Sequence, residues 1–211
     1  MKDALFCGIL FFFLHNKNYF NMKNIVLFAS GGGSNAEQIM RYFSQSKTHK
    51  VALVLANNQN AGVLAKAEAY NVPTLVFTKD ELNNGFVLRH VQAFNPALIV
   101  LAGFLLKFPA DIISAYPGRV INIHPALLPN YGGKGMYGMH VHRAVLENKD
   151  PESGITIHYV NDNYDEGNII FQQSVPLDGC LTPEDVALKV LALEHEHFPR
   201  VIEELLNEQD N

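Results

Sequence analysis

The stretch KNIVLFASGGGSNAEQIMRYFS, residues 23–44, decides most of the fold. Asn24–Ala29 is a short, continuous apolar run, as expected of a strand buried on both faces. Ala36–Ser44 reads as a helix, and the glycine-rich Ser30–Asn35 joins the two. The same strand-then-helix alternation continues outward. Val51–Ala56, Thr74–Phe77, Ala97–Gly103 and Val120–Ile123 read as further strands, and Gly62–Tyr70, Asn84–Phe94 and Pro109–Ala115 as helices between them. Such alternation predicts βαβ units and an α/β fold with a mostly parallel sheet. Gly154–Val160 and Asn168–Gln173 add two strands around the turn-rich Asn161–Gly167. A last helix, Pro183–Leu206, opens with Thr182 as cap, Pro183 at its first position and Glu184 and Asp185 in its first turn. With no repeat and no low-complexity linker, residues 22–211 are expected to form a single domain.

Composition narrows the function classes. The chain has 211 residues, 48% hydrophobic and 18% charged, a balance that excludes wholesale disorder. A net charge of −5 gives no general footprint for nucleic acid. Two cysteines, Cys7 and Cys180, cannot build a disulfide scaffold or a cysteine-rich zinc site. Residues 1–21 differ from the rest: Ala4–Leu14 is unbroken apolar sequence, and Phe6, Phe11, Phe12, Phe13 and Phe20 crowd into it and its flank. Eleven such residues are too few for a bilayer span, which needs about 20. No small-x-small cleavage site follows, and Met22-Lys23-Asn24 opens the first strand as a start codon would. An N-terminal extension outside the fold is the expectation; a peripheral segment and a signal or anchor are the alternatives.

Four constellations can carry chemistry. In Ser30-Gly31-Gly32-Gly33-Ser34-Asn35 the glycines let the backbone approach a ligand, and the helix behind them presents free N–H groups to an anion. Ser34 and Asn35 supply side-chain donors or helix caps. The loop is neither a dinucleotide fingerprint nor a P-loop, and a plain capped turn is the competing reading. In Val120-Ile121-Asn122-Ile123-His124-Pro125, alternation sends Asn122 and His124 to one face, at the C-terminal edge where open α/β sheets bind ligands. An amide beside an imidazole suits an oxyanion donor with a general acid or base, and two core polar residues are the alternative. Past the strand Gly154–Val160, Asp162, Asp165 and Glu166 read as solvated turn residues, with one carboxylate held against the strand histidine as the functional alternative. That carboxylate would favour the imidazolium and raise its pKa. Calcium is a weaker alternative, since the spacing is not that of an EF-hand loop. Finally, Gly132–Gly138 leads into His140-Val141-His142 at an expected helix start. H-x-H invites a metal, but zinc commonly needs three or four convergent ligands, so hydrogen-bonding pocket histidines are the stronger reading.

Together these residues resemble the folate-dependent phosphoribosylglycinamide formyltransferases of the formyltransferase superfamily. The matching pieces are SGGGSN at 30–35, LAGF at 101–104, NIHPALLP at 122–129, HVHRAVLENKD at 140–150 and GITIHYVNDNYDEG at 154–167. The resemblance implies a three-layer αβα, Rossmann-like formyltransferase fold with a twisted sheet. It also implies formyl transfer from 10-formyltetrahydrofolate to the amine of glycinamide ribonucleotide, without a metal, in purine synthesis. Gly31, Gly32, Gly33, Ser34 and Asn35 would cradle the ribonucleotide phosphate, and Glu194 would contact the same substrate. Asn122 would hold the formyl oxygen, His124 would act as general acid, and Asp165 would keep His124 protonated and relay a proton. The folate would lie along Leu105, Leu106, Lys107 and Phe108 and along Asn161, Asp162, Asn163, Tyr164 and Asp165, with Asn122 reaching its formyl group. The KGMYG insertion at 134–138 departs from the family, and its Lys134 is a candidate partner for the folate tail. The implied partners are small molecules rather than nucleic acid or membrane, with a monomer or homodimer in the cytoplasm. Competing readings are a formyltetrahydrofolate hydrolase, which would carry an upstream regulatory domain, and a methionyl-tRNA formyltransferase, which would add an RNA-binding barrel. An inactive nucleotide-binding module stands in a different class.

Overall fold

A computed structural model describes residues 22–209, and the expected extension at 1–21 lies outside the described residues. Seven strands form one sheet: β1 (Lys23–Ala29), β2 (His49–Ala56), β3 (Thr74–Val76), β4 (Pro96–Leu101), β5 (Val120–His124), β6 (Glu152–Tyr159) and β7 (Ile169–Pro176). Their order is β3-β2-β1-β4-β5-β6-β7. The first five are mutually parallel, while β6 runs antiparallel to both β5 and β7. The helices among the described residues are α1 (Ser34–Phe43), α2 (Gly62–Ala69), α3 (Lys79–Asn83), α4 (Phe86–Ala93), α5 (Ala110–Ala115), α6 (Met139–Glu147) and α7 (Pro183–Glu208).

Alternation along β1 shows why the sheet is sandwiched. Ile25, Leu27 and Ala29 pack into a core shared with α1, α2, α6 and α7. Val26 and Phe28 point the other way, into a core closed by α3, α4 and α5. Both faces of a continuous apolar strand are therefore buried, and the three-layer αβα architecture follows.

The expected elements are present with shifted ends. The helix expected over Asn84–Phe94 is α4, trimmed to Phe86–Ala93, and the short α3 before it was not expected; Gly85 takes φ 80° between the two. Thr78 and Glu81 form a capping box that starts α3, and the T-x-x-E signal for it stands in the sequence. The strand expected to reach Gly103 stops at Leu101, and Gly103 takes φ 77° to turn the chain. Thr182 caps α7 through a second box, with Asp185 as its partner.

Strand order reverses at β1, and crevices at such a point take ligands. There the loops after β1 and β4 are tied together. Ser30 N–H donates to the Gly103 carbonyl at 3.0 Å, and Leu105 N–H donates to Ser30 Oγ at 2.9 Å. Phe28, fully buried below, contacts Phe104 and Phe108 at ring separations of 5.4 and 5.0 Å. The core thus holds both ends of the 105–107 segment.

Phe28→Ala is expected to cost about 3–5 kcal/mol, the usual range for emptying a buried phenylalanine site. Urea unfolding checks it, and a loss below about 1 kcal/mol would mean the Phe104 and Phe108 rings refill the space.

Candidate active site

Three loops and residues of α1, α6 and α7 help wall a cleft of about 650 Å³ at the C-terminal edge of the parallel strands. Of the residues singled out from sequence, Asn35, Leu105, Leu106, Lys107, Phe108, Asn122, His124, Asn161, Asp162, Asn163, Tyr164, Asp165 and Glu194 all line it. Gly31, Gly32, Gly33 and Ser34 are not among its walls. Asn35, next in the chain, does line it, so this loop meets the cleft at its rim.

The three glycines differ in what the fold asks of them. Gly33 adopts φ +69°, and a Cβ there would lie 2.5 Å from Val63. A Cβ on Gly31 or Gly32 would meet nothing within 4 Å, so packing does not require either to be glycine. Gly33 also precedes α1 without a side-chain cap, which corrects the expectation that Ser34 or Asn35 caps this helix. The Asn35 amide turns instead to α7, where Nδ2 donates to Glu194 Oε2 at 2.7 Å. Asn35 Oδ1 is buried without a partner. Glu194 is 8% exposed, and burial raises its pKa against the opposing pull of the Asn35 hydrogen bond.

The antiparallel step from β5 to β6 builds the centre of the site. Its register pairs Asn122 with His158 and His124 with Thr156. Asn122 Nδ2 donates to His158 Nε2 at 3.1 Å, and His158 Nδ1 lies 2.9 Å from the Tyr159 carbonyl. A carbonyl only accepts, so Nδ1 carries the His158 proton and Nε2 is left to receive the amide. Asp165 reaches in from the turn after β6 with φ 56°. Its Oδ2 lies 3.5 Å from His124 Nδ1, and its Oδ1 lies 3.5 Å from His158 Nε2. Gly133 N–H donates to Asp165 Oδ2 at 2.9 Å.

His124 is 3% exposed, and its Nε2 lies 2.7 Å from the Tyr131 carbonyl, so Nε2 holds a proton and donates it. Asp165 does act to raise this histidine's pKa, as expected of a carboxylate beside it, but the net shift is downward. Burial pushes it down more strongly than Asp165 and the Tyr131 carbonyl pull it up, and His158 adds to the lowering. For Asp165 burial acts upward, but the adjacent His158 and His124 rings and the Gly133 N–H outweigh it and hold the carboxyl below the usual carboxylate range. The arrangement is an ionised carboxylate between two imidazoles, with an amide beside one of them. Such a set can donate to a developing oxyanion and pass a proton.

His158 also lines the cleft, although nothing in its own strand marks it out as a site residue. Its signal is two-dimensional: only the β5–β6 register sets it against Asn122. His142 also lines the cleft, whereas His140 is exposed and contacts the Tyr137 ring at 5.3 Å. Among the described residues no group of three or more His, Cys, Asp or Glu side chains is placed to hold a metal ion.

Residues 23–202 match the formyl transferase family. The chain is 38% identical over 194 residues to phosphoribosylglycinamide formyltransferase, chloroplastic, of Arabidopsis thaliana, covering 89% of this chain and 66% of that protein. It therefore spans just under two thirds of that relative's length. Its identity to phosphoribosylglycinamide formyltransferase of Bacillus subtilis is 33%, covering 88% of this chain and 95% of the relative. The crystal structure of phosphoribosylglycinamide formyltransferase from Brucella melitensis superposes with a TM-score of 0.78 at 34% identity, covering 88% of this chain and 96% of that one.

The buried histidines give a pH expectation. Burial is the leading cause of the lowered pKa at His124, His142 and His195. Each binds fewer protons folded than unfolded between its folded value and about 6.5. Stability therefore rises with pH across that window and is lost on acidification. Glu194, raised by burial, acts in the opposite sense. Tm measured from pH 7.5 down to 5.5 should fall, and His142→Gln should flatten the slope. An unchanged slope in that variant would mean His142 is protonated as easily folded as unfolded.

Proposed function

This chain belongs to the formyl transferase family, and on that premise we propose that it transfers a formyl group to the amine of a glycinamide ribonucleotide, the acceptor of phosphoribosylglycinamide formyltransferases. The observation that carries the reading is the convergence of Asn122, His124 and Asp165 at one wall of the cleft, with Asn35 and Glu194 also lining it.

The phosphate of the acceptor would sit against the backbone of Gly31 and Gly32. Both lack a side chain for no packing reason, and the uncapped N-terminus of α1 follows them. Asn35 Oδ1, buried and unpartnered, offers an acceptor to a ligand hydroxyl or amine, and Glu194 offers a carboxyl group beside it. Between the apolar Leu101, Phe104, Leu106 and Val160 and the polar turn 161–165, the cleft suits a flat ring system with a polar edge. That fits a reduced folate, and 10-formyltetrahydrofolate as co-substrate would supply the formyl group.

Three residues would do the work. Asn122 keeps one N–H beyond the one given to His158 and would donate it to the formyl oxygen as negative charge builds there. Asp165, ionised, would receive a proton from the attacking amine through water. His124 would carry a proton on Nδ1, beside Asp165, and release it to the departing nitrogen. Because burial disfavours the imidazolium, His124 would take up that proton during turnover rather than hold it beforehand. None of these steps assigns a role to a metal.

Lys107 and Lys134 also line the cleft and are exposed, in keeping with an acidic folate tail leaving the site on that side. No helix among the described residues is long and apolar enough to cross a membrane. A cytoplasmic setting remains part of the proposal, since the Arabidopsis relative is named as chloroplastic.

The deciding assay follows folate absorbance with glycinamide ribonucleotide as acceptor. Acceptor-dependent turnover is expected; turnover without acceptor would indicate a hydrolase, and none at all from folded protein would end the enzyme reading. Within it, Asn122→Ala should raise the activation free energy by about 3 kcal/mol, the scale of losing one oxyanion donor. Asp165→Asn should lower kcat severely while sparing ribonucleotide affinity. A loss below about 1 kcal/mol for Asn122→Ala would leave that residue a packing role.

A further inference from the structure

The loop that follows β5 holds the His124–Asp165 pair from both sides. Tyr131 accepts the Nε2 proton of His124 on its carbonyl oxygen at 2.7 Å. Two residues on, the Gly133 N–H reaches Asp165 Oδ2 at 2.9 Å. Gly132 lies between them so closely that a Cβ would come within 2.7 Å of Leu128 Cδ2 and 3.3 Å of Asp165 Cβ. One tripeptide therefore sets the orientation of both partners.

Tyr131 makes that geometry at φ 57°, a conformation side chains with a Cβ rarely adopt. Something outside the site must favour it. The phenol supplies a candidate: Tyr131 Oη donates to Asp150 Oδ2 at 2.5 Å and accepts from Asn148 Nδ2 at 2.9 Å. Asn148 also donates to Asp150 Oδ1 at 3.1 Å, which closes a three-residue network. Asn148 is the C-cap of α6, and Asp150 lies two residues further along. None of the three lines the cleft.

We propose that the Tyr131–Asn148–Asp150 network is a positioning device for the reaction, anchoring the phenol so that the strained Tyr131 carbonyl fixes the tautomer and the ring orientation of His124. The proposal rests on His124 being the acid of the preceding section. By holding the proton on Nε2, the carbonyl leaves Nδ1, the nitrogen beside Asp165, to take up and release the mobile one. Asp150 is thus coupled to His124 through one side chain and one peptide carbonyl.

Two measurements separate this from a merely structural anchor. The first is the imidazole 15N–1H spectrum of the full-length protein, which reads the His124 tautomer and titration directly, without substrate. Wild type should show the Nε2–H tautomer. Tyr131→Phe and Asp150→Ala should both give a mixture of tautomers. Their His124 midpoint should move to lower pH, because the carbonyl bond favours the charged ring. Asp165, His158 and His142 also face or act on this ring and stay unchanged in both variants. Asp150→Asn keeps an acceptor for the phenol and should restore the wild-type spectrum.

The second is steady-state kinetics. Both disruptive variants should lose about tenfold in kcat, as a slightly misplaced catalytic group does, with KM for either substrate changed less than about twofold. A wild-type His124 spectrum in Tyr131→Phe and Asp150→Ala would overturn the proposal, and so would an altered spectrum with undiminished kcat. Wild-type protein inactive with the ribonucleotide would refute the function proposed above, while the spectra would still decide whether the network holds His124.

Discussion

The antiparallel pairing of β6 with β5 is the constraint from which the rest of the site follows. Five parallel strands would place only their loops at the C-terminal edge. By running the other way, β6 brings its own C-terminal half, rather than its start, alongside β5 and sets His158 across from Asn122. The turn after β6 then leaves the sheet near the opposite end from the loops of the parallel strands, yet Asp165 still folds back to lie 3.5 Å from both His124 and His158. Close packing of this return is visible at Gly167, where a Cβ would lie 1.7 Å from the Tyr159 carbonyl oxygen. At Gly154 a Cβ would lie 2.1 Å from the Gln173 carbonyl oxygen, so the β6–β7 hairpin also depends on a missing side chain. A register slip of one residue would send His158 to the other face and leave Asn122 without its acceptor.

Burial and charge oppose one another at His124, and the balance explains the character of the site. Placing an imidazole at 3% exposure disfavours its charged form. The same burial strengthens each interaction with Asp165 and with the Tyr131 carbonyl. Asp165 tolerates its own burial in part because the Gly133 N–H donates to its Oδ2, which favours the ionised form. The result is a carboxylate that stays ionised and an imidazole that stays neutral until a proton is delivered, which is the state a proton relay starts from.

Much of this was legible in residue pattern alone. The two-sided burial of β1 follows from its unbroken apolar run, and Asn122 and His124 share a face because strands alternate. The Thr182 cap of α7 was an equally local signal. What could not be read depends on contacts between distant segments. The Asn122–His158 bond spans 36 residues, and the sign of the His124 shift depends on how deeply it is buried. Ser34 and Asn35 have the chemistry of helix caps, yet Gly33 holds that position and α7 competes for the Asn35 amide. A cap preference is worth about 1 kcal/mol, and a buried carboxylate with no other donor makes the stronger demand.

The Ser30 side chain joins the two halves of the cleft into one object. Its Oγ receives the Leu105 N–H, and its own N–H goes to the Gly103 carbonyl, so the glycine loop and the 103–108 segment cannot shift independently without breaking one of these bonds. Beneath them the rings of Phe28, Phe104 and Phe108 form one edge-to-face cluster. Across the cleft, Asn35 ties the start of α1 to Glu194 on α7. Two substrates proposed to meet at Asn122 would thus be held by segments that share both a hydrogen-bonded rim and a common core. A rigid frame of this kind favours bringing reacting atoms together in one orientation, the part of catalysis that costs no charge and needs no cofactor.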